Sequence, residues 1–206
     1  TMKTMFPSTA AAFAYLLLFG LWEPAMVTLA SVAIAVPMGV AGGVGLGILA
    51  FRHAWFERAL RPVLDLMLSV AVFAYVVPIL YLFGFGATAA LVATMIYAMP
   101  PMVRTTAIGL AAVPPEVVEA GRMAGCTRRQ LLWKVQLPAA REMLMVGVNQ
   151  VIMLTLNMVI IASMIGAGGL GYQVLTALRK LDVSGGVVSG LGIVVLAIAL
   201  DRLSQA

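Results

Sequence analysis

The stretch Val118–Pro138, VEAGRMAGCTRRQLLWKVQLP, holds four of the chain's thirteen Lys and Arg residues, and Arg141 follows close behind. The sequence on either side is apolar. Of 206 residues, 63% are hydrophobic and 10% are charged, with a mean hydropathy of +1.06. A soluble domain is about one-quarter charged, so this composition belongs to a polytopic membrane protein. The quoted segment is then a compact charged interruption between apolar runs.

Runs of roughly twenty apolar residues, the length that crosses a hydrocarbon core, recur along the chain. The expected spans are Met5–Trp22, Pro24–Phe51, Leu66–Phe85, Ala87–Val103, Met143–Ile165 and Gly185–Leu203. Gly84–Gly86 makes a tight turn between the third and fourth. The basic residues choose the sides. Arg52, Arg58 and Arg61 follow span two, Arg104 and the quoted segment follow span four, and Lys3 and Arg202 lie at the ends. Only Arg179 and Lys180 fall on the opposite face. The positive-inside rule then makes the quoted segment and both termini cytoplasmic. The opening TMKTMF lacks the pattern of a signal peptide and reads as the start of a fragment. Cys126 is the single cysteine and His53 the single histidine, which excludes a disulfide framework and a His/Cys metal site.

Local punctuation gives the quoted segment a form. Pro114 and Pro115 pre-set a helix start, and Glu116 and Glu119 sit where a helix dipole favours acids. That helix is expected to run to Ala124, with Gly125 supplying a left-handed stop. Thr127 and Gln130 form a T-x-x-Q capping box for a second helix, expected to end at Leu137–Pro138. Ala120, Gly121 and Ala124 give the first helix a nearly bare face suited to close packing by another protein. Leu131, Leu132 and Val135 form an apolar stripe suited to resting on the membrane helices. Two short angled helices of this kind suit a docking element. A DNA-reading helix-turn-helix would need a recognition helix and no membrane tether, so nucleic acid is not an expected partner. A loop lying on anionic lipid remains the simpler alternative.

Spacing separates these readings. Glu119-Ala120-Gly121, then Gly125, then Val135-x-Leu137-Pro138 resembles the E-A-A-x3-G-x9-I-x-L-P loop of ABC importer permeases, with Gly for the second Ala and Val for Ile. The resemblance extends from about Trp22 to Ala206 through FAYVVPILYLFGFG, KVQLP, NQVIML, IIASMIGAGGLG and LDRLSQA. These look like the glycine betaine/proline betaine/choline branch. One stretch departs: Met67–Tyr75 reads MLSVAVFAY, with Leu68 and Ala71 in place of the branch's Gln and Pro.

The resemblance implies an all-α polytopic transmembrane helix bundle of the type I importer permease kind, a single permease domain over residues 1–206 with cytoplasmic coupling helices at 113–138. It implies that Glu119, Ala120, Gly121, Gly125, Val135, Leu137 and Pro138 couple the chain to an ATP-hydrolysing subunit, which would hold ATP and Mg²⁺. Also implied are an extracytoplasmic substrate-binding protein, a second permease copy, the lipid bilayer, and residence in the bacterial cytoplasmic (inner) membrane. The expected cargo is a quaternary ammonium compatible solute. Permeases for an amino acid such as methionine, and a membrane anchor without transport, are the alternatives.

Other polar and aromatic positions are weaker signals. No Walker-type G-x4-G-K-[ST] occurs, and no intramembrane Ser–His pair or metal cluster, so no catalytic residue or cofactor of this chain is expected. Gly166–Gly171, GAGGLG, resembles a dinucleotide fingerprint but follows a membrane span rather than a strand, and reads as a flexible external turn. Asn149, Gln150, Asn157 and Ser163 are polar groups in span five, where lining a path and bridging helices are both open. Phe73 and Tyr75 offer π-faces for a quaternary ammonium ion or ordinary packing. Gly39, Gly43 and Gly47 recur at i+4 and form a groove for close helix approach. The methionines suit adaptable packing.

Overall fold

A computed structural model describes residues 13–69 and 73–204, all in helices, turns and short connections, with no strand among them. Residues 13–18 are helical. Then follow α1 (Trp22–Arg52), α2 (Ala54–Ser69), α3 (Phe73–Phe83), α4 (Ala87–Ala111) and α5 (Pro115–Met123). A one-turn α6 (Arg128–Gln130) runs into a π-helical stretch, Leu131–Gln136, and a one-turn α7 (Leu137–Ala139). The chain closes with α8 (Arg141–Met164), α9 (Gly169–Lys180) and α10 (Val183–Ser204).

Packing divides the chain into two compact units. One comprises Thr1–Met38, Ala71–Ala98 and Ile152–Ala206; the other comprises Gly39–Val70 and Met99–Val151. In the first unit Ala89, Ala90 and Ala93 of α4 meet Val76 and Ile79 of α3 and Met158, Ala162 and Ile165 near the end of α8. A second cluster joins Leu16, Leu21 and Ala25 to Leu170 of α9 and Ile193 and Leu196 of α10. Within that region the Tyr15 hydroxyl donates to the Val188 carbonyl at 3.0 Å. In the second unit Leu110 of α4, Leu132 and Ala140 form a core.

Helix α10 shows what surrounds these helices. It buries Ser189, Ile193, Leu196 and Ala199 and exposes Val187, Leu191, Val194 and Ile198. The exposed set recurs at i, i+4, i+7 and i+11, which is one helix face. In water such a face would be polar; here it is aliphatic, as contact with lipid tails requires.

The long apolar readings are met by α1 and α8. These two helices have the length and apolarity of a crossing, and Val183–Ala199 is apolar but shorter. The other expected spans are modified. Of Leu66–Phe85, Leu66–Ser69 forms the end of α2 and Phe73–Phe83 forms α3, of 11 residues; residues 70–72 lie outside the described residues. Helix α2 buries none of its residues and carries Glu57, Arg58, Arg61 and Asp65. Span four continues past Val103 to Ala111. Of Met5–Trp22, residues 5–12 lie outside the described residues.

GAGGLG is turn only over Gly166–Gly168, and Gly169–Gly171 are helical. Gly166, Gly168 and Gly169 all take positive φ, and the last two open helix α9, which apolar periodicity alone did not indicate. The turn is seated on its neighbours. Gly86 N donates to Ile165 O at 2.9 Å, and Leu170 N donates to Thr28 Oγ1 at 2.9 Å. A Cβ at Gly169, where φ is +77°, would lie 2.5 Å from Thr28 Oγ1, so glycine is favoured there by both space and backbone conformation. Beyond α9, Leu181 takes the left-handed conformation at φ 54° and Asp182 caps α10, accepting from Gly185 N at 3.1 Å and Ser184 Oγ at 2.9 Å. These bonds favour the ionised carboxylate and hold it below the usual range, with the Lys180 charge adding to them.

Candidate functional site

The segment between α4 and α8 is built by local rules. Pro114, at φ −54° and ψ 135°, precedes Pro115 at the first helical position, where a missing N–H is not needed. The helix ends on a Schellman pair. Cys126 N donates to Gly121 O at 3.2 Å and Gly125 N to Arg122 O at 3.0 Å, with Gly125 left-handed at φ +77°. Two residues later the capping box closes. Thr127 N donates to Gln130 Oε1 at 2.9 Å, and Gln130 N to Thr127 Oγ1 at 3.4 Å. The second helix does not stop at Pro138. It widens into the π-helical stretch, where Leu137 N donates to Leu132 O, and continues to Ala139 before Ala140 breaks it at φ −82° and ψ 4°. Proline lacks the donor for an i−4 bond and its ring crowds that carbonyl; a wider turn just before it relieves both.

The two short helices are clamped to each other and to the second unit. Gly121 is buried, and a Cβ there would lie 2.7 Å from Leu131 Cδ1 and 3.1 Å from Val135 Cγ2. The bare face expected to receive another protein is thus divided: Gly121 receives Leu131 and Val135 of the same chain, while Ala120 and Ala124 remain exposed. Leu132 does rest on the membrane helices, against Leu110 and Ala140.

What is left outward is a charged, partly apolar surface. Glu119 and Arg122 are exposed and border a concavity that also includes Phe51, Leu110 and Gln136. Met123 is 90% exposed and Trp133 61%. Neither belongs to the motif. Helical position alone, Met123 at the last turn of α5 and Trp133 opposite the Leu131–Leu132 contact, was the signal that could have found them. Cys126 is half-buried beside the turn. Leu137 is half-buried and Pro138 exposed; they form the α7 turn that hands the chain to α8.

The other candidate positions fall in both packing units. Asn149 falls in the second packing unit, whereas Asn157 and Ser163 fall in the first. Asn149 is half-buried and Asn157 exposed. Ser163 is buried, and its hydroxyl donates to Ile160 O at 2.5 Å, which satisfies it within its own helix. Phe73 and Tyr75 lie on α3, and their side chains are outside the described residues. Among the described residues, no group of three or more His, Cys, Asp and Glu side chains is placed to hold a metal ion.

An all-α chain with apolar crossing helices and this two-helix segment between α4 and α8 has the features of a membrane permease. Residues 39–206 match the family model of binding-protein-dependent transport system inner membrane components, and the chain belongs to that family. It is 48% identical over 187 residues, 91% of its length, to the glycine betaine/proline betaine transport system permease protein ProW of Escherichia coli (strain K12), of which it covers 53%. It is 44% identical over 194 residues, 94% of its length, to the trimethylamine N-oxide transport system permease protein TmoV of Ruegeria pomeroyi, covering 30% of that protein. The chain thus spans about half of the first of these two relatives and less than a third of the second. Its fold resembles that of the inward-facing MetNI methionine ABC transporter, with a TM-score of 0.73 and 24% identity over 93% of this chain and 92% of that one.

Proposed function

We propose that this chain is the transmembrane permease subunit of an ATP-driven importer for a quaternary ammonium or betaine-type compatible solute. The observation that carries the reading is the 48% identity to a glycine betaine/proline betaine permease over 91% of the chain. Energy is supplied by a cytoplasmic ATP-binding subunit that docks on α5 to α7, through Glu119, Ala120, Gly125 and the exposed Met123 and Trp133. A substrate-binding protein delivers the solute from outside, and two copies of the permease form the path. A trimethylammonium head has no hydrogen-bond donor, so aromatic faces and weakly polar walls suit its passage. Near their centres the spans read from the sequence carry no Lys or Arg to repel it and no Asp or Glu to hold it. Resemblance to a methionine transporter at 24% identity supports the fold and does not favour an amino acid cargo.

The test is uptake into vesicles holding the permease, its ATPase and its binding protein. Labelled glycine betaine or choline is expected to accumulate in an ATP-dependent manner and to be displaced by unlabelled betaines but not by methionine. Uptake of methionine alone sinks the betaine assignment.

Orientation has its own test. Cys126 is the only thiol in the sequence and lies in the segment assigned to the cytoplasm. A membrane-impermeant maleimide is expected to label it in inverted vesicles stripped of ATPase and not in intact cells. Labelling from outside overturns the orientation and the docking assignment together.

A further inference from the structure

In the first packing unit α1, α4 and α8 line a partly open cavity with about 30 Å³ of water-accessible space, whose polar lining is Thr28, Ser31, Thr94 and Thr155. Most of the remaining wall is alanine. The space suits one or two water molecules.

The hydroxyl protons around it are unevenly used. Thr28 Oγ1 donates to Pro24 O at 3.1 Å, Ser31 Oγ to Val27 O at 3.0 Å and Thr94 Oγ1 to Ala90 O at 2.7 Å. Each has therefore spent its one hydrogen on its own helix and can present only a lone pair to the cavity. Thr28 uses one of its two lone pairs on Leu170 N. Thr155 is different. It is 1% exposed, and its Oγ1 is buried with no hydrogen-bond partner in the protein. In a helix a threonine hydroxyl ordinarily bonds back to the carbonyl one turn before it. This one does not, so its proton is free.

We propose that this cavity is a water site and that Thr155 is its donor. The bonding closes: the Thr155 hydroxyl donates to a water oxygen, and the water's two hydrogens go to lone pairs among Thr94, Thr28 and Ser31. Such a water has three partners, the usual number for buried water. It ties α8 to α1 and α4 at membrane depth, where a direct bond does not reach and where an unpaired hydroxyl is costly.

Thr106 supplies the control. Its hydroxyl is also buried without a partner, but Thr106 faces Gly47 at close contact and does not line this cavity. With the water in place, Thr155→Val removes the donor and strands the water. The melting midpoint of the purified protein is then expected to fall by about 2–4 °C. Thr106→Val removes only an unsatisfied group and is expected to leave the midpoint unchanged or raise it. An unchanged or higher midpoint for Thr155→Val, or an equal fall for both variants, overturns the proposal. If Thr155→Val does not fold, an experimental density map of the unaltered protein decides. A water peak within hydrogen-bond reach of Thr155 Oγ1 supports the site, and an empty cavity overturns it.

Discussion

Replacing Gly47 by valine is expected to leave little or no folded protein after detergent extraction, whereas Gly45→Ala in the same helix is expected to be tolerated. The two glycines are two residues apart on α1 and face opposite surroundings. A Cβ at Gly47 would lie 2.5 Å from Thr106 Cβ, 2.8 Å from Thr106 Cγ2 and 2.9 Å from the Val103 carbonyl oxygen. The last of these is backbone and cannot rotate away, so α1 and α4 must separate. One turn earlier a Cβ at Gly43 would meet Met102 Cβ at 2.5 Å and the Met99 carbonyl at 3.3 Å, so the same seam is closed along two turns. Overpacking a core by a few methyl groups costs about 1–3 kcal/mol. Here the cost is larger, because separating the helices also removes the contacts around Gly43. Gly45 meets nothing within 4 Å, and alanine there gains up to about 1 kcal/mol of helix propensity. The readout is the monodisperse fraction by size exclusion and the melting midpoint. Equal behaviour of Gly47→Val and Gly45→Ala would remove the case for a close-packed seam.

That seam shows what sequence can and cannot deliver. Gly39, Gly43 and Gly47 share an i+4 spacing, and the spacing announces helix packing without a partner. The structure gives Gly43 and Gly47 to α4 and leaves Gly39 in ordinary contact with Val151 at 3.6 Å. The segment between α4 and α8 was more fully legible because its signals are local. Pro115, Gly125 and Thr127–Gln130 each act on the backbone within a turn, and each did what its chemistry dictates. Signals that depend on tertiary packing were not legible. Gly121 looked like part of a bare outward face because nothing in the sequence says that Leu131 and Val135 fold back on it. Helix α9 opens on Gly168 with no side-chain cap, so it lacks the Ser, Thr, Asp or Asn that marks a start. Helix α2 mixes charge and apolar residues with Pro62 inside it, which in a membrane chain resembles a loop. The four hydroxyls of the cavity are spread over three helices, and only packing brings them together.

Gly125→Val is expected to separate ATP hydrolysis from uptake while the protein still inserts, and Gly125→Asn is expected to preserve coupling. The reason is conformational rather than steric. Gly125 holds φ +77° and a Cβ there meets nothing within 4 Å, so space is available for either side chain. A β-branched residue in the left-handed region costs about 1–2 kcal/mol, while asparagine enters it far more readily. Valine would be relieved by unwinding the turn, at the expense of the bonds from Cys126 N to Gly121 O and from Gly125 N to Arg122 O. Those bonds fix the angle between α5 and the Thr127-capped helix, and with it the relative positions of Glu119, Met123 and Trp133. The strain is small against the stability of the whole protein, so the loss falls on the geometry of docking. Glu119→Lys acts on the same surface by charge. Glu119 is exposed one turn before Arg122, and a lysine there places two cations one turn apart without touching a buried contact. Both Gly125→Val and Glu119→Lys are expected to lower the amount of ATPase that co-purifies with the permease. Both are expected to reduce substrate-stimulated hydrolysis by tenfold or more, which corresponds to about 1.4 kcal/mol or more of lost coupling. Normal stimulation in both variants would show that α5 to α7 carry no coupling. Loss in Gly125→Asn as severe as in Gly125→Val would show that the glycine serves close contact with the ATPase and not the left-handed turn.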